Sequence, residues 1–68
     1  MNISIQLNGK HESVPYGISV KHLLEQRGVN PNVVACELNL KILKRATLDN
    51  VTLNEGDALE VIQMIGGG

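Results

Sequence analysis

The sequence predicts an α+β domain in which a four- or five-stranded mixed sheet wraps around one main helix. Three observations predict it. Apolar residues alternate with polar ones in several short stretches, a single stretch carries helical spacing between a serine and a glycine, and the last stretch is apolar on both of its faces. At 68 residues the chain holds one domain at most, and Leu, Ile and Val supply 22 of its side chains, so the core must be aliphatic and small. Such a body has no room to enclose an ordinary ligand pocket of about 300–1,000 Å³ and still keep a core.

Ile3, Ile5 and Leu7 alternate with Asn2, Ser4 and Gln6, the period of a half-buried strand, and Asn8-Gly9 supplies the residues preferred in a type I′ hairpin turn. A two-residue loop pairs Leu7 with Lys10, Ile5 with Glu12 and Ile3 with Val14, setting two charged residues on the apolar face. A rim strand whose charges reach past a narrow core accounts for this, and so does a shifted register or a bulge. Ser19 stands where a helix N-cap should, with Ile18 and Leu23 placed to form a hydrophobic staple. Val20, Leu23 and Leu24 make one apolar stripe that Arg27 continues. His22 occupies the place where a capping box would put Glu or Gln. Gly28 closes the helix after about two and a half turns, and Val29-Asn30-Pro31 prevents its continuation.

Val34, Cys36 and Leu38 mark a third strand, and residues 41–44 a short fourth with Ile42 pointing inward. Leucine disfavours positive φ, so Asn39-Leu40 predicts a longer loop or a bulge rather than a simple type I′ turn. Residues 45–53 have no clean period, but Leu48, Val51 and Leu53 should dock on the core. Asn54-Glu55-Gly56-Asp57 is a strong turn signal, and residues 58–65 form the last strand. One helix covers only one face of a small sheet, and the economical packing puts the last strand in the middle beside the first. That is the β-grasp arrangement, over residues 1–65, with a glycine tail at 66–68.

Composition excludes several functions. Six Lys and Arg are spread along the chain for a net charge of -1, and Tyr16 is the one aromatic, which argues against nucleic-acid binding. The longest unbroken apolar run is 33–36, so no membrane span or signal segment is expected and the reading is cytoplasmic. A lone cysteine makes no internal disulfide, and Cys36, alternating with Val34 and Leu38, reads as a small buried hydrophobe. His11 and His22 lack ligand spacing, while Glu55 and Asp57 flank Gly56 as turn chemistry, so no metal site and no resident catalytic site is predicted.

What remains is the tail and one surface. Gly66, Gly67 and Gly68 follow the last strand directly. Three extended residues reach about 10 Å at roughly 3.3–3.6 Å each, and without Cβ atoms they can thread a slot too narrow for larger side chains. A free carboxylate at Gly68, ionised at neutral pH, attacks phosphorus readily but needs activation before it accepts a nucleophile. Ile62 and Met64 alternate away from Leu59 and Val61 and cannot share one core with them. With Leu40, and Ile42 or Leu43 nearby, they predict an exposed patch with Lys44 and Arg45 as a charged rim. A docking surface, a homodimer contact and ordinary exposed aliphatics all fit it.

A β-grasp pattern running straight into glycines resembles the ThiS/MoaD group of sulfur carriers in the ubiquitin-like superfamily, over the whole chain. The resemblance is carried by Leu7-Asn8-Gly9, by Leu23-Leu24-Glu25 within 20–28, by Val34-Ala35-Cys36-Glu37-Leu38-Asn39, by Glu55-Gly56-Asp57 and by 61–65 leading into the glycines. Size and the Glu37-Leu38-Asn39 segment are most similar to the thiamin sulfur carriers of the ThiS type. Related carriers serve molybdopterin, cysteine or homocysteine synthesis.

The resemblance implies a co-substrate rather than an enzyme, with no cofactor bound to it. A ThiF-like adenylating enzyme, using ATP and magnesium, would convert the Gly68 carboxylate to an acyl-adenylate. A sulfur donor such as a cysteine desulfurase persulfide would displace AMP to leave a thiocarboxylate, and a ThiG-like thiazole synthase would take the sulfur. Gly66 and Gly67 would serve by slimness, letting the tip enter the partner's site. A non-covalent β-grasp interaction module with incidental glycines, and a modifier that forms amide bonds through Gly68, are the competing readings.

Overall fold

The computed structural model describes residues 1–64. Five strands form one sheet: β1 (Asn2–Leu7), β2 (Lys10–Pro15), β3 (Val34–Leu38), β4 (Lys41–Leu43) and β5 (Ala58–Gln63), in the order β2-β1-β5-β3-β4. β5 lies beside β1 in parallel and beside β3 antiparallel, so the last strand is central. The one α-helix among the described residues, α1 (Val20–Gln26), covers one face. Its Val20, Leu23 and Leu24 meet Ile3, Ile5, Val14, Val34, Cys36 and Leu59 from the sheet in a core that holds no buried polar residue among those described.

The first hairpin has the expected register, with Leu7 opposite Lys10, Ile5 opposite Glu12 and Ile3 opposite Val14. Asn8 and Gly9 both have positive φ, as a type I′ turn requires. Of the two charges on the apolar face, the Glu12 carboxylate meets the Arg27 guanidinium at the end of α1, and Lys10, beside the turn, is exposed to solvent. Arg27 closes the helical stripe electrostatically where a hydrophobe would have closed it by packing.

The N-terminal N–H groups of α1 are all satisfied. Ser19 Oγ accepts from the His22 N–H, while the N–H groups of Val20 and Lys21 donate to the carbonyls of Val51 and Leu48. The aperiodic stretch after β4 is thus the backbone cap of the helix, anchored by buried Leu48 and Leu53. Gly28, at φ +71°, donates to Glu25 O, and Val29 donates to Leu24 O, a complete Schellman motif. The helix is seven residues rather than two and a half turns because Arg27 is already its cap. Two short 3₁₀ turns, Pro31–Val33 and Arg45–Thr47, carry the connections and have no period by which the sequence announces them.

Two expectations are corrected at the second hairpin. Asn39 and Leu40 form a two-residue loop with φ of +53° and +71° between paired Leu38 and Lys41, so the turn is of the I′ kind despite its leucine. The twist of the strand pair demands that turn, and Leu40 takes the left-handed conformation at a cost of about 1–2 kcal/mol. That register sets Leu43 opposite buried Cys36 and Ile42 opposite Glu37, so Leu43 packs on the core and Ile42 is 76% exposed instead of pointing inward. β5 ends at Gln63, short of the predicted 58–65, and what the sequence predicts for Ile65, Gly66, Gly67 and Gly68 lies outside the described residues.

Candidate functional site

β5 delivers the chain towards its tail, and two asparagines fix where it runs. The Asn8 N–H donates to Leu59 O while Asn8 Oδ1 accepts from the Val61 N–H at 2.8 Å, so one turn residue extends the ladder past the end of β1. On the other side of β5 the Asn39 N–H donates to Ala58 O and Asn39 Oδ1 accepts from the Ala58 N–H at 2.9 Å. Asn39 Nδ2 also donates to Asp57 Oδ1, whose partner oxygen Oδ2 accepts from the Asn54 N–H. Glu55 Oε1 accepts from the Ser4 N–H. Asp57 thus serves the turn, as its spacing suggested, while Glu55 ties the turn to β1. Past β5 the Met64 N–H still donates to Val33 O at 2.8 Å.

Leu59 and Val61 face the helix, and the alternate residues of β5 face away from it. Ile62 lies opposite Ala35, and Glu60 lies opposite Glu37, which in turn faces Ile42. The open face of β5-β3-β4 is therefore aliphatic, with Ile42, Ile62 (49% exposed) and Met64 (55%) along it, Leu40 (90%) in the turn at its end, and two carboxylates at its centre. The neighbouring half, on β1 and β2, is polar, with Ser4 opposite Ser13 and Gln6 opposite His11. Lys44 is exposed at the end of β4. Arg45 is not with this group: it lines an open polar cleft of about 460 Å³ with Lys21, Glu25, Asn32 and Asp49. A smaller hollow of about 230 Å³ lies beside Asn8, Arg27, Val29, Val61 and Gln63. Both are open hollows of the surface rather than enclosed chambers.

Cys36 is buried, and burial pushes its thiol above the ordinary range, so it stays protonated and unreactive. Among the described residues no three His, Cys, Asp or Glu side chains converge as a metal site would require, and no helix is long and apolar enough to cross a membrane. Glu37 and Glu60 escaped the sequence reading. Alternation from Cys36 and from Leu59 places each on the open face, but only the β3–β5 register sets them opposite one another.

The sequence matches the ThiS family over residues 3–68. A crystal structure of a thiamine biosynthesis protein (ThiS) from Geobacter metallireducens is 33% identical and superposes with a TM-score of 0.84, over 97% of this chain and 100% of that one. A protein called ycf40 from Pyropia yezoensis is 42% identical over 67 residues, 98% of this chain and 94% of its own length. A thiazole synthase from Paramagnetospirillum magneticum is 35% identical over 66 residues, and there this chain spans only 20% of the relative's length. The β-grasp sheet, its single helix and the match through the glycines together place the chain in the ThiS family of ubiquitin-like sulfur carriers.

Proposed function

We propose that the protein carries sulfur as a thiocarboxylate on Gly68 for thiazole formation in thiamin synthesis, in the cytoplasm. The observation that carries this reading is the family match through residue 68, which takes in Gly66, Gly67 and Gly68 along with the fold. A carboxylate oxygen of Gly68 attacks the α-phosphorus of ATP in a ThiF-like partner, with magnesium, and pyrophosphate leaves. Persulfide sulfur from a donor such as a cysteine desulfurase then attacks the acyl carbon and AMP leaves. A second thiolate, of the partner or donor, then attacks the donor cysteine's sulfur, forming a disulfide with it while the thiocarboxylate leaves. The chain contributes position rather than catalysis, since the ionised carboxylate is the group that reacts and the partner supplies its activation.

A thiazole synthase partner of the ThiG kind is supported by the thiazole synthase of P. magneticum, one fifth of which is similar to this chain. Leu40, Ile62 and Met64, with Lys44 beside them, are the surface on which partners dock, whereas Arg45 opens on the polar cleft instead. The test is to delete Gly68 or to add one residue after it. Either change abolishes sulfur transfer for a carrier, and transfer at the wild-type rate contradicts the reading. A sulfur carrier for molybdopterin, cysteine or homocysteine synthesis is distinguished by which acceptor enzyme consumes the thiocarboxylate.

A further inference from the structure

The open face of β5-β3-β4 carries two costs that the isolated chain does not relieve. Glu37 and Glu60 are directly opposite on adjacent strands, a like-charge arrangement that destabilises a sheet. The one ion pair among the described residues is Glu12 with Arg27 on the other face, and Lys44, exposed past the end of β4 beside this patch, makes no ion pair with either carboxylate. Leu40, in the turn that ends β3, holds a left-handed backbone while its side chain is 90% exposed. Aliphatic side chains surround the acidic pair, with Ile42 opposite Glu37 on one side and Ile62 opposite Ala35 one step along.

We infer that this face takes a protein partner presenting an arginine or lysine between Glu37 and Glu60, with an apolar floor against Ile42, Ile62 and Leu40. The inference rests on the carrier reading and names the chemistry of its docking surface. A cation set between the two carboxylates turns their repulsion into attraction, and the surrounding aliphatics exclude water from it. A second copy of this chain is a poor occupant, because two-fold pairing of the face brings four carboxylates into one interface. Solubility alone does not explain the pair, since two glutamates placed apart would serve it without the repulsion.

The test is calorimetric titration of the carrier with its cognate adenylating enzyme and with its cognate thiazole synthase, at low and high salt, using wild type and the double variant E37Q/E60Q. The expected result is a variant with a higher urea midpoint, at least tenfold weaker binding to one or both partners, and a flattened salt dependence. Binding of both partners within twofold of wild type, a destabilised variant, or a wild type that binds neither partner overturns the inference. So does sedimentation showing a wild-type homodimer that E37Q/E60Q tightens, which would assign the face to a second copy. Failure of the carrier reading is separable: a wild type that binds in a Glu37- and Glu60-dependent way but gains no sulfur at Gly68 keeps the surface and overturns the carrier.

Discussion

Asn8 and Asn39 occupy matching places in two hairpin turns, and each does the same two jobs. Each tolerates positive φ, and each supplies a side-chain oxygen to an N–H of β5. Asn39→Gly separates the jobs, since it keeps the left-handed backbone and loses the hydrogen bonds to Ala58 and Asp57. It should cost about 1–2 kcal/mol in urea unfolding, and Asn39→Ala should cost about 1 kcal/mol more for the strained backbone. Leu40→Gly has the opposite sign. Relief of the left-handed leucine should raise stability by roughly 0.5–1 kcal/mol, a few degrees in Tm for a domain this small. Cys36 binds its proton more tightly folded than unfolded, so its contribution is complete below the unfolded thiol pKa of about 8.5 and is lost as pH rises through the raised folded value. The urea midpoint should therefore fall at alkaline pH, and the thiol should resist Ellman's reagent until the protein unfolds.

At the level of elements, the sequence announced what is periodic and concealed what is pinned from afar. Residues 3–7 and 34–38 alternate because one sheet face is buried, and Ser19 and Gly28 bound the helix through chemistry local to each end. The turn at Asn39-Leu40 departs from the sequence expectation because its conformation is set by strand twist and by Asp57, eighteen residues on, rather than by the preference of leucine. Ile42 and Leu43 are adjacent hydrophobes, and only the loop length decides which faces in. The helix cap built from Val51 and Leu48 carbonyls left no sequence signature at all. Leu48→Ala tests that cap. A buried leucine truncation costs about 2–5 kcal/mol, comparable with the roughly 3–5 kcal/mol that a domain of this size nets, so circular dichroism should show a largely unfolded chain. The Glu12–Arg27 pair is partly exposed, so its coupling in a double-mutant cycle should be below about 1 kcal/mol and should shrink in high salt.

The whole molecule is organised around the last strand. β5 is held by β1 and β3 and clamped by two asparagines, and it gives its inner residues to the core and its outer ones to solvent. The candidate site was legible where it depends on alternation, as with Ile62 and Met64, because a strand apolar on both faces must leave one face uncovered. It was illegible where it depends on register between strands, as with Glu37 and Glu60, or on the path of a short connection, as with Arg45. The central claim concerns Gly68, and intact mass spectrometry before and after incubation with the cognate adenylating enzyme, ATP, magnesium and a sulfide source tests it most directly. The account predicts a mass gain equal to exchanging one oxygen for one sulfur, confined to the C-terminal peptide. An unchanged mass in the presence of a demonstrably active partner enzyme would contradict it.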